Sequence, residues 1–312
     1  MHRDTMLLIT SFIRPERLAR LLTSIRRCYP SIKTLVADSS DPERQWRCAW
    51  LAGRSMADFI ALPFACGVSK MRNVLIREAR ARGVQFVVIL EDDFVLDEGG
   101  TQLEAMREVL DDRPEIGAVA GALRYEGAKA PNVWANNILV RPDVAEYEVL
   151  PITDPKINLT RASEVRWFPA EYVYNFFMAR IEGLPEWDDD LKTCVEHIDW
   201  ALRCKAKGFR LACAPDVWAH HDSGKNEADY TSHRTSYDSW RVFYEKTGWR
   251  CGRFMDGLIV HDFEHGKRYT YPEYVFRLMS AAAKAGLTLP SGASKLQDDG
   301  AQGRQAATPS EA

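Results

Sequence analysis

The segment from Val84 to Leu90 is an almost unbroken apolar run, and it ends abruptly in three consecutive acids, Glu91-Asp92-Asp93. Such a run reads as a central parallel strand covered on both faces, and a strand covered on both faces needs helices above and below its sheet. Three carboxylates side by side repel one another, so they make a poor strand terminus unless a cation neutralises them. Metal binding is one reading; a solvated acidic turn is the other when the triplet is taken alone.

The residues before the run supply the rest of such a sheet. Apolar segments from Met6 to Ile9, Thr34 to Ala37 and Phe59 to Leu62 alternate with amphipathic stretches. In the first of those stretches Leu18, Leu21, Leu22 and Ile25 share one helical face, and Pro15 suits its first turn. A second helix is predicted from Glu43 to Leu51, and a third from Ser69 to Arg82 that Gly83 closes. A helix from Gln102 to Leu110 and a strand from Ile116 to Leu123 follow. Right-handed crossovers then give an α/β fold: an open, mostly parallel sheet with helices on both faces. Ligands of such sheets sit at the carboxyl ends of the strands, where the three acids fall.

Residues 124–164 are irregular and rich in Pro and Asn, with one short strand expected near Glu146 to Leu150, and such segments often serve substrates. Order returns with a strand from Tyr172 to Ala179, a helix from Glu196 to Lys207 ended by Gly208, and strands from Phe209 to Cys213 and Val217 to His220. Helices are expected from Asp229 to Lys246 and from Pro272 to Ala285. The last residues, from Ser291, hold hardly any large apolar side chain, and disorder is the expectation. The organisation read from this pattern is a nucleotide-binding half over 1–125, an acceptor-binding and catalytic half of the same domain over 126–225, a helical extension over 226–288 and a disordered tail over 289–312.

Composition removes several function classes. With 312 residues, 46% of them hydrophobic, the chain can bury a sizeable core. Its 41 basic and 44 acidic residues give a net charge of −3, so no field drives non-specific binding to nucleic acid. Seven cysteines, odd in number and scattered without a C-x-x-C pair, read as the reduced thiols of a cytoplasmic protein. No run approaches the roughly 20 apolar residues of a membrane span, a pattern compatible with a soluble protein and with peripheral membrane contact.

Four motifs in order carry a resemblance: Thr10-Ser11-Phe12 with Arg14-Pro15, then Asp38-Ser39-Ser40, then Gly67-Val68-Ser69-Lys70-Met71-Arg72-Asn73, then Glu91-Asp92-Asp93-Phe94. Together they resemble the donor-binding half of family 2-type inverting glycosyltransferases of GT-A fold, which has a Rossmann-like nucleotide-binding half. The stretch from Val173 to Arg180, with Asn175-Phe176-Phe177 at its centre, is similar to the ganglioside-type N-acetylgalactosaminyltransferase subgroup. The resemblance covers approximately residues 6–222.

The resemblance implies transfer of a sugar, with inversion, from a nucleotide-diphosphate donor to a glycan or another hydroxyl-bearing acceptor. UDP-linked hexose or N-acetylhexosamine is the implied donor and Mn2+ or Mg2+ the implied cofactor. Thr10, Ser11, Arg14 and Asp38 would meet the nucleoside, Arg72 and Asn73 the base or diphosphate, and Asp92 would line the donor site. Glu91 and Asp93 take the two outer places of a D-x-D motif. Asp93 would ligate the metal; Glu91, a longer side chain, would do so directly or through water. His221, which follows the strand at Val217, would face the metal or diphosphate; His220 alternates to the opposite side. Glu196, with Asp199 one turn on, would supply the general base, at a position where the family more often writes Glu-Asp and this chain has Glu196-His197. Asn175, Phe176 and Trp187 would contact the acceptor, with Trp134, Trp167, Phe168, Tyr172 and Tyr174 as further stacking surface, although core packing explains aromatics more often.

Two other classes compete. A nucleotidyltransferase acting on sugar phosphates would carry a Gly-rich phosphate loop at the start of the fold, and residues 9–14 contain no glycine. An inactive sugar-nucleotide-binding protein would have lost members of the acid set; Asp38, Glu91, Asp93 and Glu196 are all retained.

Overall fold

A computed structural model of the chain describes residues 4–222, 228–235, 239–254, 259–263 and 266–270. The alternation read from the sequence becomes β1 (Thr5–Ser11), α1 (Pro15–Cys28), β2 (Lys33–Asp38), α2 (Pro42–Arg54), β3 (Asp58–Ala61), α3 (Val68–Ala81) and β4 (Phe86–Glu91). There follow β5 (Phe94–Val95), α4 (Leu103–Asp112), β6 (Ile116–Tyr125), β7 (Ala135–Arg141), β8 (Glu146–Pro151), β9 (Asn158–Leu159), β10 (Arg166–Ala170), β11 (Tyr172–Val173) and β12 (Phe177–Arg180). The chain continues with α5 (Glu196–Ala206), β13 (Arg210–His221), α6 (Ala228–Thr235), α7 (Ser239–Thr247), β14 (Cys251–Phe254), β15 (Ile259–Asp262) and β16 (Lys267–Thr270).

The main sheet runs β3-β2-β1-β4-β12-β6-β13-β10-β9. Strands β3, β2, β1 and β4 pair in parallel, while β12 enters antiparallel between β4 and β6 and β13 is again parallel to β6. Period-two alternation sends Leu7, Ile9, Phe86, Val88 and Leu90 into one core with α1 and α4 and Met6, Leu8, Val87 and Ile89 into the other with α3. That explains why β4 reads as an apolar run: both of its faces are covered.

The structure departs from the sequence expectation in four places. The strand expected from Tyr172 to Ala179 is broken into β11 and β12, and Tyr174 to Phe176 between them serve the cleft and the core. The two strands expected around residue 215 are one, β13, with a register shift between Cys213 and Trp218; a bulge keeps a strand continuous across Pro215, which cannot donate to a ladder. The irregular region yields β7, whose Asn136 and Asn137 mask its alternation. Finally, residues 226–288 are not purely helical where described: α6 and α7 are followed by β14, β15 and β16. The cause is pairing that no local pattern reports, since β14 lies parallel to β8 in a second sheet ordered β11-β7-β8-β14-β15-β16. The helix expected from Pro272 and the tail lie outside the described residues.

This second sheet braces α5. Ile138, Tyr147 and Val149 pack with Phe243 and Phe263 against Leu191, Val195, Ile198 and Ala201, so the C-terminal segment sets where the first turn of α5 sits. His261, in β15, lies 4.3 Å from the Trp240 ring and 5.1 Å from that of Phe254. Burial, aided by Arg268, pushes its pKa down from 6.5 to about 4. Between those values the unfolded chain binds the proton that the folded one excludes, so stability is complete above pH 6.5 and declines as pH falls toward 4. Acidification across that window should lower the melting temperature of wild type more than that of His261→Phe; parallel pH profiles for the two would remove His261 as the cause.

Candidate functional site

The carboxyl ends of β1, β2 and β4 are in register, with Thr10 opposite Glu91 and Ser11 opposite Asp38. The three acids therefore emerge beside the loop that leads into α1, and two arginines of that region meet them. Arg14, at the N-cap of α1, ion-pairs with Asp92 and lies 3.1 Å from Asp93. Arg17 stands 3.8 Å from Asp93. Arg72, fully buried in α3, lies 2.5 Å from Glu91. Each acid thus has a guanidinium, and the solvated-turn reading fails because Asp92 and Asp93 are buried.

The electrostatics follow from that burial. Desolvation pushes Asp92 up to about 7, against the pull of Arg14, and raises Asp93 in the same way. Burial also opposes the charge on Arg14, but Asp92 and Asp93 outweigh it and hold the guanidinium protonated. Asp93 Oδ1 has no hydrogen-bond partner among the described residues. His221 Nε2 stands 3.8 Å from Asp93 Oδ2, while His220 turns toward Asp97, as strand alternation requires.

Two compartments open around these acids. The first is lined by Thr10, Ser11, Phe12, Ser39, Gly67, Met71, Asp92, Lys192 and Glu196, and roofed by Tyr230 and His233 of α6. Gly67 is required there: its φ is +94°, and an added Cβ would lie 2.7 Å from Lys192. The second is lined by Arg17, Asp93, Tyr125, Trp134, Tyr172, Tyr174, Asn175, His221 and Asp222. Arg14, Glu91, His197 and Tyr230 border both, so the compartments meet at these four side chains.

Several expected site residues stand elsewhere. Asp38 is fully buried and accepts from the Ser40 amide at 2.9 Å and its hydroxyl at 3.0 Å; it builds the turn under the first compartment instead of lining it. Asn73 is consumed by Trp187 and Asp189. Trp187 stacks on Trp200, with ring centroids 4.8 Å apart, and Phe176 packs against Phe94, so both are core side chains. Trp167 and Phe168 are core residues too. Asp199 is held by Arg203 at 2.6 Å and lines neither compartment. Of the aromatic candidates, Trp134, Tyr172 and Tyr174 do face the second compartment, where Tyr125 joins them through a hydroxyl contact of 3.1 Å to Tyr174.

Arg17, Tyr125, Lys192, His197, Tyr230 and His233 are the residues that sequence reasoning passed over as site members. Arg17 carried a usable signal, three residues beyond Arg14 on a predicted helix. Tyr230 and His233 share that spacing, but nothing local says that their helix folds back over β1.

No protein-family profile matches the chain. It is similar to Beta-1,4 N-acetylgalactosaminyltransferase 1 from Homo sapiens, 35% identical over 221 residues covering 68% of this chain and 38% of that protein. The Rattus norvegicus protein of the same name is 33% identical over 224 residues, with the same coverage. The chain thus spans well under half the length of these relatives, and the similarity to N-acetylgalactosaminyltransferases that the motifs carry is borne out over the matched part. Among solved structures, glucosyl-3-phosphoglycerate synthase from Mycobacterium tuberculosis, in complex with Mn2+, UDP and glucosyl-3-phosphoglycerate, is 14% identical, with a TM-score of 0.44 and coverage of 86% of this chain and 87% of that one.

The ion-pair arrangement is directly testable. Removing Arg14 strands the buried Asp92 and leaves Asp93 to Arg17 and His221, each at 3.8 Å, and breaking a buried pair costs about 3–5 kcal/mol. Arg14→Met should lose stability on that order in urea unfolding, and adding Asp92→Asn should restore part of it. Wild-type stability in Arg14→Met would show that Arg14 does not neutralise the acids.

Proposed function

We propose that this chain is a glycosyltransferase that moves a sugar from a nucleotide-diphosphate donor to an acceptor hydroxyl with inversion. One observation carries the reading: the strand-end acids Glu91, Asp92 and Asp93 lie where two compartments meet, one offering the hydroxyls of Thr10 and Ser11 with the cations Arg14 and Lys192 and suited to a nucleotide, the other walled by aromatic rings suited to a sugar face. The similarity to N-acetylgalactosaminyltransferases supports an N-acetylhexosamine donor, and the proposed donor is UDP-linked N-acetylhexosamine or hexose.

In this reading Thr10, Ser11 and Phe12 receive the nucleoside, and Arg14 and Lys192 supply positive charge beside the diphosphate. Trp134, Tyr172, Tyr174 and Asn175 orient the acceptor. Glu196 is the general base: it takes the acceptor hydroxyl proton while that oxygen bonds to the anomeric carbon and the bond to the nucleoside diphosphate breaks. Its Oε2, buried and without a partner among the described residues, is free for that proton. Asp199 is the weaker candidate because Arg203 holds it.

The residues fit a divalent cation in part. No ready-made cluster of three or more ligating side chains exists among the described residues, but Mg2+-like ions in nucleotide sites use one or two protein ligands and complete their shell with phosphate and water. The partnerless Oδ1 of Asp93 and the nearby His221 meet that need. Glu91 is the weaker ligand of the set, since Arg72 and Asn175 both bind its Oε1. When bound there, Mn2+ or Mg2+ would supply charge to stabilise the departing diphosphate.

Among the described residues no helix is long and apolar enough to cross a membrane. The seven cysteines are all free, which supports a reducing, cytoplasmic setting. Trp46 and Trp50, exposed one turn apart on α2, are where peripheral membrane contact would rest.

Two measurements test the reading. Asp93→Asn should abolish most of the Mn2+-dependent affinity for UDP in calorimetry; an unchanged affinity, insensitive to chelation, would remove the metal. Glu196→Gln should lower kcat about 10²- to 10⁴-fold with donor affinity intact. Full turnover in that variant alongside a dead Asp199→Asn would transfer the base to Asp199.

A further inference from the structure

We infer that His197 is the positioning residue for Glu196, and that its ring is seated against Asn175, which itself is anchored to the acid triplet at Glu91. The inference rests on Glu196 being the base. His197 Nε2 lies 3.1 Å from Glu196 Oε1 and 3.1 Å from Asn175 Nδ2. Asn175 Nδ2 in turn donates to Glu91 Oε1 at 2.8 Å, and Arg72 donates to the same oxygen. Glu196, His197, Asn175, Glu91 and Arg72 are therefore in successive contact from α5 to α3, with hydrogen bonds from Asn175 and Arg72 meeting at Glu91.

The chemistry of these contacts is restrictive. Glu91 accepts only, so Asn175 must turn its amide nitrogen, not its oxygen, toward Glu91. That nitrogen also lies beside His197 Nε2, and one ring nitrogen either accepts from Asn175 or donates to Glu196; the positioning role belongs to the form that carries its proton on Nε2 and donates to Glu196, with Asn175 packed against the ring while it bonds Glu91. Donation from Nε2 tethers Glu196 Oε1 and leaves the buried Oε2 without a partner among the described residues. A glutamate at the start of a helix has three side-chain torsions to fix, and a tether on one oxygen removes most of that freedom before the acceptor arrives.

Burial supports the division of labour. The Glu196 side chain is 4% exposed and that of His197 25%, and only His197 of the two borders both compartments. Val195 and Ile198, packed into the core beneath the second sheet, hold the backbone on either side of the pair, which leaves the side-chain contact to set the carboxylate's direction. Asn175 has a place here as well: bonded to Glu91, it gives the His197 ring a wall to rest against, a role beyond acceptor contact.

The test is a double-mutant cycle on hydrolysis of UDP-N-acetylgalactosamine in Mn2+ buffer, with water as the acceptor. His197→Ala should lower kcat about 10²-fold, the scale of a displaced catalytic group, with the donor KM unchanged. His197→Gln, whose amide can reach the position of Nε2, should recover most of the loss. In the Glu196→Gln background His197→Ala should cost almost nothing more, because residues acting as one unit are not additive. UDP binding by calorimetry certifies that each variant is folded. An inactive Glu196→Gln with full activity in His197→Ala, or with additive losses in the double variant, would overturn the positioning role and leave the base assignment standing. Full activity in Glu196→Gln would instead remove the base assignment and this inference with it.

Discussion

Three carboxylates at the end of one buried strand are the constraint around which this molecule is built. Left alone they would repel one another and resist burial, and the strand could not end where it does. Arg14, Arg17 and Arg72 resolve this from two directions, the first two from α1 and the third from α3. Because these helices flank β4 on opposite faces, the pairing also fixes both layers relative to the sheet. Stability and site construction therefore draw on the same ion pairs.

The same arrangement explains how a cleft for an anionic donor can coexist with an acidic floor. Charges that are already paired repel a diphosphate weakly, and the side chains bordering both compartments include the cation Arg14. The oxygens Asp93 Oδ1 and Glu196 Oε2 are buried carboxylate atoms of this cleft left without a partner among the described residues. Buried polar atoms without partners each cost stability, and several gather here among the described residues, on Arg14, Ser39, Asp93, Glu196 and His221, which marks the cleft as the place where ligand atoms belong.

Distance from the site does not make the rest of the fold passive. The second sheet draws β14 to β16 against β8 and, through Tyr147, Phe243 and Phe263, supports α5 from below. Lys246 of α7 adds ion pairs to Asp188 at 2.5 Å and Asp190 at 2.7 Å, on the loop that leads to Lys192. The residues that carry the proposed proton transfer are thus oriented by a segment whose own sequence contains none of the site motifs.

The sequence by itself determined the first half of the sheet, because period-two and period-3.6 patterns are local and Pro15 and Gly83 punctuate them. It also determined that Glu91, Asp92 and Asp93 stand at a strand's carboxyl end, since the apolar run stops there abruptly, while the burial that excludes a solvated turn is a property of the fold. The alternation of His220 and His221 was legible for the same local reason. Only the tertiary structure decided which candidates reach the cleft. Asp38, Asn73, Phe176 and Trp187 sit in the right motifs, yet their side chains are used up by Ser40, by Trp187 and Asp189, by Phe94 and by Trp200. Conversely, Lys192, Tyr230 and His233 come to the cleft from loops and a helix that no local periodicity aims. A motif specifies where its backbone lies along an element; whether a side chain meets solvent, ligand or core depends on neighbours far away in the chain, and those are set only when the layers pack.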